Sequence, residues 1–286
     1  MAPGAPCYQS RGGNPLRFAV ISDIHNNLEA FKTALVDIER QNVDKIYCLG
    51  DLLGYGPNPI ECVDRMLRLR KEGILKVCLL GNHDQAIIFD PEGFNMIAEA
   101  AVFWSRERLE AERGPKAMAR LDFIGELPRI FRQEPFLFVH GSPRNPLSEY
   151  VFPEDKDDKE KMAKLFSLVP QYCFIGHTHV PGVFVDRSGS TDYQYLSFKE
   201  IQDNYDCRYP LGEQKLIVNV GSVGQPRDSD SRLCYAIVQY DENETSNNHI
   251  EYRRIRYNVE KTIADIEGIP ELSCYDFLMR RLRDGK

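Results

Sequence analysis

Several things are scarce in this chain. It has no apolar run long enough to cross a bilayer, and Met1-Ala2-Pro3-Gly4-Ala5-Pro6 lacks the basic and apolar regions of a secretory leader. Positive charge is in deficit: 36 Lys and Arg against 43 Asp and Glu leave a net charge of −7. That balance argues against a protein whose main partner is long nucleic acid, though not against a small nucleotide held through metal ions. The eight cysteines include no Cys-x-x-Cys pair, which argues against a thiolate zinc site. Cys48, Cys78, Cys173 and Cys234 sit inside apolar runs, so they read as buried thiols, and a cytoplasmic location is expected. No repeat or low-complexity linker divides the chain. Residues 1–14, rich in Gly and Pro, read as a disordered tail, and residues 15–286 as a single domain. Histidine is rare too, and the placing of the six that exist is what makes the sequence informative.

The first half alternates strand and helix. Leu16 to Ile21 is an apolar strand, and Asn27 to Arg40 carries Leu28, Phe31, Leu35 and Ile38 at helical spacing. A strand over Lys45–Leu49, a helix opening at Pro59 and a strand over Ile74–Leu80 complete a β-α-β-α-β series, which predicts a mostly parallel sheet. Helices are expected over 95–112 and 116–124, with Trp104 in an apolar stripe that reads as core. Short strands follow at 129–132 and 135–139, then one charged helix over 154–168. Strands are expected at 172–175 and 182–185. The aromatic stretch 191–210 reads as an edge hairpin, or as a flap over a substrate. The late strands 215–220, 233–240 and 250–257, without intervening helices, suggest a second sheet packed on the first. Helices over 259–266 and 272–282 close the chain.

Five of the apolar strands end in ligand-capable side chains. Asp23-Ile24-His25 follows the first, Gly50-Asp51 the second and Gly81-Asn82-His83-Asp84 the third. Val139-His140-Gly141 and Gly176-His177-Thr178-His179 follow two later ones, so five of the six histidines lie in these motifs. The carboxyl ends of strands are where an open α/β sheet places its chemistry. Taken alone, Gly81-Asn82-His83-Asp84 is equally a turn before a helix-capping Asp84. Asp23, His25, Asp51, Asn82, His140, His177 and His179 mix imidazole with carboxylate, which suits transition metals better than magnesium or calcium. They are too many for one ion and suit two ions sharing a carboxylate. His177 and His179 would point to opposite faces of an extended segment, so a turn after Gly176 is required.

These motifs, in this order, resemble the calcineurin-like metallophosphoesterase superfamily. The wider text, Ser22-Asp-Ile-His-Asn-Asn-Leu-Glu29, Gly50-Asp-Leu-Leu-Gly-Tyr-Gly-Pro57, His140-Gly-Ser-Pro-Arg-Asn-Pro146 and Asn219-Val-Gly-Ser-Val-Gly-Gln-Pro-Arg-Asp228, is similar to its small bacterial-type phosphodiesterase branch. The resemblance implies an α/β fold of two packed mixed β-sheets flanked by helices, a four-layer αββα sandwich. It implies that Asp23, His25 and His179 hold one divalent transition-metal ion (Mn, Fe, Co, Ni or Zn), that Asn82, His140 and His177 hold a second, and that Asp51 bridges them. A shared hydroxide would be the nucleophile. His83 would donate a hydrogen bond or a proton toward the leaving-group oxygen of a small phosphate ester, a nucleotide among the candidates.

One departure bears on the substrate. Protein phosphatases of the superfamily carry Gly-Asp-x-x-Asp-Arg-Gly, where this chain has Gly54 and Tyr55. The acidic partner of the catalytic His and a phosphate-binding Arg are therefore both missing. Arg144 and Arg227, each in a Pro-Arg loop after a strand, are the candidates to replace that charge; capping of surface loops is the other reading of each. The expectation is a metal-dependent phosphoesterase acting on small diesters. The alternatives are a phosphomonoesterase or protein phosphatase, a diadenosine polyphosphate hydrolase, and a non-catalytic scaffold on the same fold.

Overall fold

The computed structural model describes residues 15–187, 192–273 and 276–286. The tail expected over 1–14 lies outside them, as do residue 191 of the aromatic stretch and 274–275 of the last expected helix.

The opening series forms as its periodicity predicts: β1 (Leu16–Ile21), α1 (Leu28–Arg40), β2 (Lys45–Cys48), α2 (Pro59–Lys71) and β3 (Leu75–Cys78). Asn27 Oδ1 accepts the Ala30 N–H and starts α1, while Pro59 occupies the first turn of α2, where its missing N–H costs nothing. The three strands run parallel. Next come α3 (Asn82–Ile88), α4 (Met96–Ala111), α5 (Pro115–Gly125), β4 (Ile130–Gln133) and β5 (Phe136–Val139). The single charged helix expected over 154–168 is in fact two pieces. Pro153 opens a short 3₁₀ turn over 153–157, and Asp158 then caps α6 (Lys159–Ser167) by accepting the Lys161 N–H.

The remaining elements are β6 (Tyr172–Ile175), β7 (Gly182–Asp186), β8 (Tyr193–Ser197), α7 (Phe198–Tyr205), β9 (Arg208–Pro210), β10 (Lys215–Asn219), β11 (Leu233–Tyr240), β12 (His249–Ile255), α8 (Val259–Glu267), α9 (Pro270–Ser273) and α10 (Asp276–Asp284). The aromatic stretch is not a hairpin. β8 and β9 are the edges of two different sheets, and α7, capped by the Ser197–Glu200 box, carries the chain between them.

Among the described residues there are two six-stranded sheets, ordered β3-β2-β1-β11-β12-β9 and β4-β5-β6-β10-β7-β8. The late strands therefore do not build a sheet of their own. β10 enters the second sheet, but β11 pairs antiparallel with β1 at the centre of the first, and β12 and β9 extend that sheet. The reason is burial: Leu233 to Val238 are shielded on both faces, which only an interior strand allows.

Three cores hold four layers together. Phe31, Ala34, Val63, Met66 and Phe123 bring α1, α2 and α5 onto the outer face of the first sheet. Met162, Leu165 and Phe166 bring α6 onto the outer face of the second. Between the sheets Phe18, Tyr47, Phe136, Phe138 and Phe174 form an aromatic stack, with Phe138 and Phe174 5.3 Å apart and nearly parallel. Each such ring contributes about 1.5–3 kcal/mol by burial. Trp104 packs with Ile263, Ile266, Leu278 and Leu282, so it is core and clamps the C-terminal helices onto α4.

Candidate metal centre

The carboxyl ends of β1, β2, β3, β5 and β6 open onto one place. The loops there are sharply bent: Asp23, His25, Asp51, His177 and His179 all have φ between 49° and 66°, a region that costs side-chain-bearing residues on the order of 1 kcal/mol or more each. Backbone bonds lock the bends, Asp23 N–H to Gly50 O and His25 N–H to Asp51 O, both at 3.0 Å. The turn required after Gly176 is present, with Thr178 N–H donating to Gly176 O at 2.7 Å. It brings both imidazoles inward.

The side chains gather into two groups. In one, His179 Nε2 lies 3.2 Å from His25 Nε2 and 3.2 Å from Asp23 Oδ1. In the other, His140 Nε2 lies 3.1 Å from both Asn82 Oδ1 and His177 Nδ1. Asp51 Oδ2 stands between them, 3.7 Å from His25 Nε2 and 3.4 Å from His140 Nε2. All but Asn82 are buried.

The far nitrogens of three rings are tied to backbone oxygens: His25 Nδ1 to Leu53, His179 Nδ1 to Gln225 and His177 Nε2 to Ser148. A carbonyl only accepts, so these nitrogens carry the protons and the inward ones present lone pairs. His25 and His179 thus oppose two lone pairs at 3.2 Å, beside an Asp23 Oδ1 that is buried without a partner. Such a set is repulsive unless a cation lies among it, and orientation of a ligand imidazole by a backbone carbonyl is the usual support of a metal site. Trios of these side chains have ligand atoms within 4.8 Å of one another. The residues fit divalent metal.

Electrostatics point the same way. Burial alone would raise Asp51, but His140, His83 and His25 outweigh it and hold the carboxyl well below the usual range. Burial disfavours a charged His140, yet Asp51 beside it lifts that imidazole to about 9. Desolvation pushes His25 well down, His179 down and His177 to about 3. His140 apart, which Asp51 keeps protonated, the centre thus presents two carboxylates and neutral imidazoles, the protonation states that ligation needs.

His83 borders the two groups, with a ring nitrogen within 4.8 Å of ligand atoms of His25 and Asp51. Gly81 caps α3, and Asp84 accepts the N–H groups of Gly81, Leu52 and Leu53. Asp84 is therefore the third residue of a helix that starts at Asn82, not the cap that a simple turn would make it. Gly81 is required, since a Cβ there would meet Asp51 Oδ1 at 2.1 Å. The His83 ring is caged by Tyr55 at 4.6 Å, Phe94 at 4.7 Å and His25 at 4.9 Å. Gly54 closes the cage with φ +93°, and a Cβ there would strike His83 Nδ1 at 2.4 Å. Where protein phosphatases would have an acidic residue, this chain needs no side chain at all. Burial lowers the imidazole to about 4, with Asp51 opposing and Arg227 assisting.

The two arginines weighed from sequence part company. Arg144 is exposed and paired with Glu149. Arg227 lies over the Tyr55 ring, 5.8 Å from its centroid, and bonds Gln225. Sequence reasoning missed Arg281 of α10, which also lies over Tyr55, at 5.9 Å. It also missed Tyr150, stacked on His177 at 3.8 Å with Phe152 stacked beyond it. None of these belongs to a motif, and no local pattern marks them.

Comparisons with known proteins agree with this geometry. Residues 16–243 match the calcineurin-like phosphoesterase superfamily domain. An uncharacterized protein of Methanocaldococcus jannaschii is 33% identical over 255 residues, which cover 87% of this chain and 90% of that protein. The crystal structure of a metallophosphoesterase from Sphaerobacter thermophilus is 31% identical, with a TM-score of 0.75 over 96% of this chain and 100% of that one. A hypothetical protein from Pyrococcus horikoshii, at 18% identity and a TM-score of 0.67 over 94% of this chain and 98% of that one, shares the fold.

Proposed function

The chain belongs to the calcineurin-like phosphoesterase superfamily, and from that premise we propose that it is a dinuclear-metal phosphoesterase that hydrolyses small phosphodiesters. Asp23, His25 and His179 would hold one divalent transition-metal ion and Asn82, His140 and His177 another, with Asp51 shared; when bound, the pair supplies positive charge to phosphoryl oxygens and acidifies a water. The protein's own part is to aim and to shield. Carbonyls of Leu53, Gln225 and Ser148 fix three of the rings, and the aromatic cage of Tyr55 and Phe94 keeps water from His83. That imidazole, held neutral near pH 7, keeps one N–H to donate to the departing oxygen. Phe152, exposed and stacked on Tyr150, which in turn stacks on His177, offers a flat apolar face suited to a nucleobase. The same reading keeps the protein in the cytoplasm, in line with unpaired Cys48, Cys62, Cys78, Cys173, Cys207 and Cys234.

One observation carries the diester assignment: the ring of Tyr55 lies directly against His83, at 4.6 Å, and the guanidiniums of Arg227 and Arg281 are held over that ring, not in the place of the phosphatase arginine. A monoester brings a dianion and benefits from a fixed cation at that point. A diester carries one charge and needs its alkoxide leaving group assisted, which is His83's task.

The test is kcat/KM for bis(p-nitrophenyl) phosphate against p-nitrophenyl phosphate on protein reconstituted with manganese, cobalt, nickel, iron or zinc. The diester is expected to lead by about tenfold or more, a difference of about 1.4 kcal/mol. His83→Asn should keep both ions while turnover falls about 10²–10⁴-fold. Preference for the monoester would replace the assignment, and loss of an ion in His83→Asn would make His83 a ligand.

A further inference from the structure

Arg227 and Arg281 are two cations placed side by side with no Asp or Glu between them. Arg227 Nη2 and Arg281 Nη1 share one neutral acceptor, Gln225 Oε1, at 2.9 and 3.2 Å. Arg281 Nε donates to the Lys286 backbone oxygen, and Arg227 Nε is buried with no partner. Among the described residues neither guanidinium has an Asp or Glu within ion-pairing distance. Three other buried or part-buried arginines do: Arg120 pairs with Asp64 and Glu112, Arg253 with Asp37 and Glu251, and Arg254 with Asp228.

The pair is also held in place. Leu278 and Leu282 anchor α10 in the Trp104 core, Gly285 N–H returns to Arg281 O at 2.8 Å, and Ser229 N–H bonds Gly285 O at 2.7 Å. The segment carrying Arg227 and Gln225 is tied to the metal centre, because Gln225 O accepts from His179 Nδ1 at 2.6 Å. Burial and the Arg227 charge pull Arg281 down to about 10. Two like charges kept together at such cost imply an anion that joins them.

We infer that Arg227 and Arg281 form a second anion subsite, on the His83 side of the metal centre, for a phosphate carried by the leaving group. The side follows from contact: both guanidiniums lie over the Tyr55 ring, and that ring touches His83. This rests on the preceding reading of His83 as the residue facing the leaving group. Two forked donors suit the oxygens of one phosphate, which would satisfy the orphaned Arg227 Nε as well. The favoured substrates are then diesters or anhydrides whose leaving group is itself phosphorylated, such as dinucleoside polyphosphates. Arg281 decides that preference without touching the reacting phosphorus.

The test uses metal-loaded protein and two readouts. Calorimetric Kd values for tripolyphosphate and for orthophosphate are compared in wild type, Arg281→Met, Arg227→Met and Arg281→Lys, with metal content and Tm checked for each. Either Met variant is expected to weaken tripolyphosphate about 10–100-fold, the worth of a charge-assisted bond, and orthophosphate less than about threefold. Arg281→Lys should recover part of the loss. In turnover, Arg281→Met should lower kcat/KM for a dinucleoside triphosphate by a similar factor and leave bis(p-nitrophenyl) phosphate nearly unchanged. Equal tripolyphosphate affinity in wild type and both Met variants overturns the subsite, as does an equal loss for both substrates. If wild type hydrolyses neither substrate but the Met variants lose tripolyphosphate, the subsite stands and the phosphoesterase reading falls.

Discussion

Phe174 and His177 are three residues apart, one on β6 and the other in the loop that follows it, and they obey opposite rules. Phe174 is fully buried, stacked on Phe138 and flanked by Phe18 and Phe136. His177 has φ 66° and turns Nδ1 toward His140 Nε2 at 3.1 Å. The aromatic layer between the sheets is relaxed and apolar. The rim at its carboxyl end is bent, polar and incompletely satisfied, with Asp23 Oδ1, His83 Nδ1 and His140 Nδ1 buried and unpartnered. The difference teaches where stability and function are kept: the layer supplies the free energy that lets the rim stay strained and pre-aimed.

The largest effects should separate the two regions cleanly. Asp51→Asn is expected to cost activity at least about 10³-fold, several kcal/mol of transition-state stabilisation, because on the proposed reading it would weaken both ion sites at once. Phe174→Ala is expected to cost about 3–5 kcal/mol of stability while the folded fraction keeps its ions. Urea unfolding with and without metal, beside elemental analysis, reads both. Metal should stabilise wild type and Phe174→Ala but hardly Asp51→Asn. A rim variant as unstable as the core variant would erase the contrast.

A smaller effect probes the boundary between them. Gly54→Ala puts a methyl against His83 Nδ1 and a side chain at φ +93°. Turnover should fall about 10²-fold, as for a misplaced acid–base group, with both ions retained. Unchanged kcat would mean that the cage does not position His83. The smallest effect sharpens the comparison from outside: Arg144→Ala, whose guanidinium is already paired with Glu149 on the surface, should change kcat/KM less than about threefold. A larger loss would bring the 141–149 loop into the site.

The legible part of this protein was its local pattern. Helical spacing at Leu28, Phe31, Leu35 and Ile38 located α1, and apolar runs located the strands that carry Asp23, Asp51, Asn82, His140 and His177. The errors came where local pattern is silent. The late strands read as a separate sheet because nothing in Leu233–Tyr240 states its neighbour, and β11 lies beside β1 more than 200 positions away. Pro153 and Asp158 split the helix expected at 154–168 because capping outranked its charge pattern.

By itself the sequence determined which side chains meet: strand periodicity and the carboxyl-end rule deliver five ligand-bearing loops to one edge, whatever the strand order. Only the tertiary structure decided how His83 is held and where the spare positive charge lies. Tyr55, Phe94, Gln225, Arg227 and Arg281 come from separate segments, and Arg281 reaches Tyr55 only because Trp104 clamps the C-terminal helices over α4. Such contacts depend on packing between distant elements, and packing leaves no period in the chain.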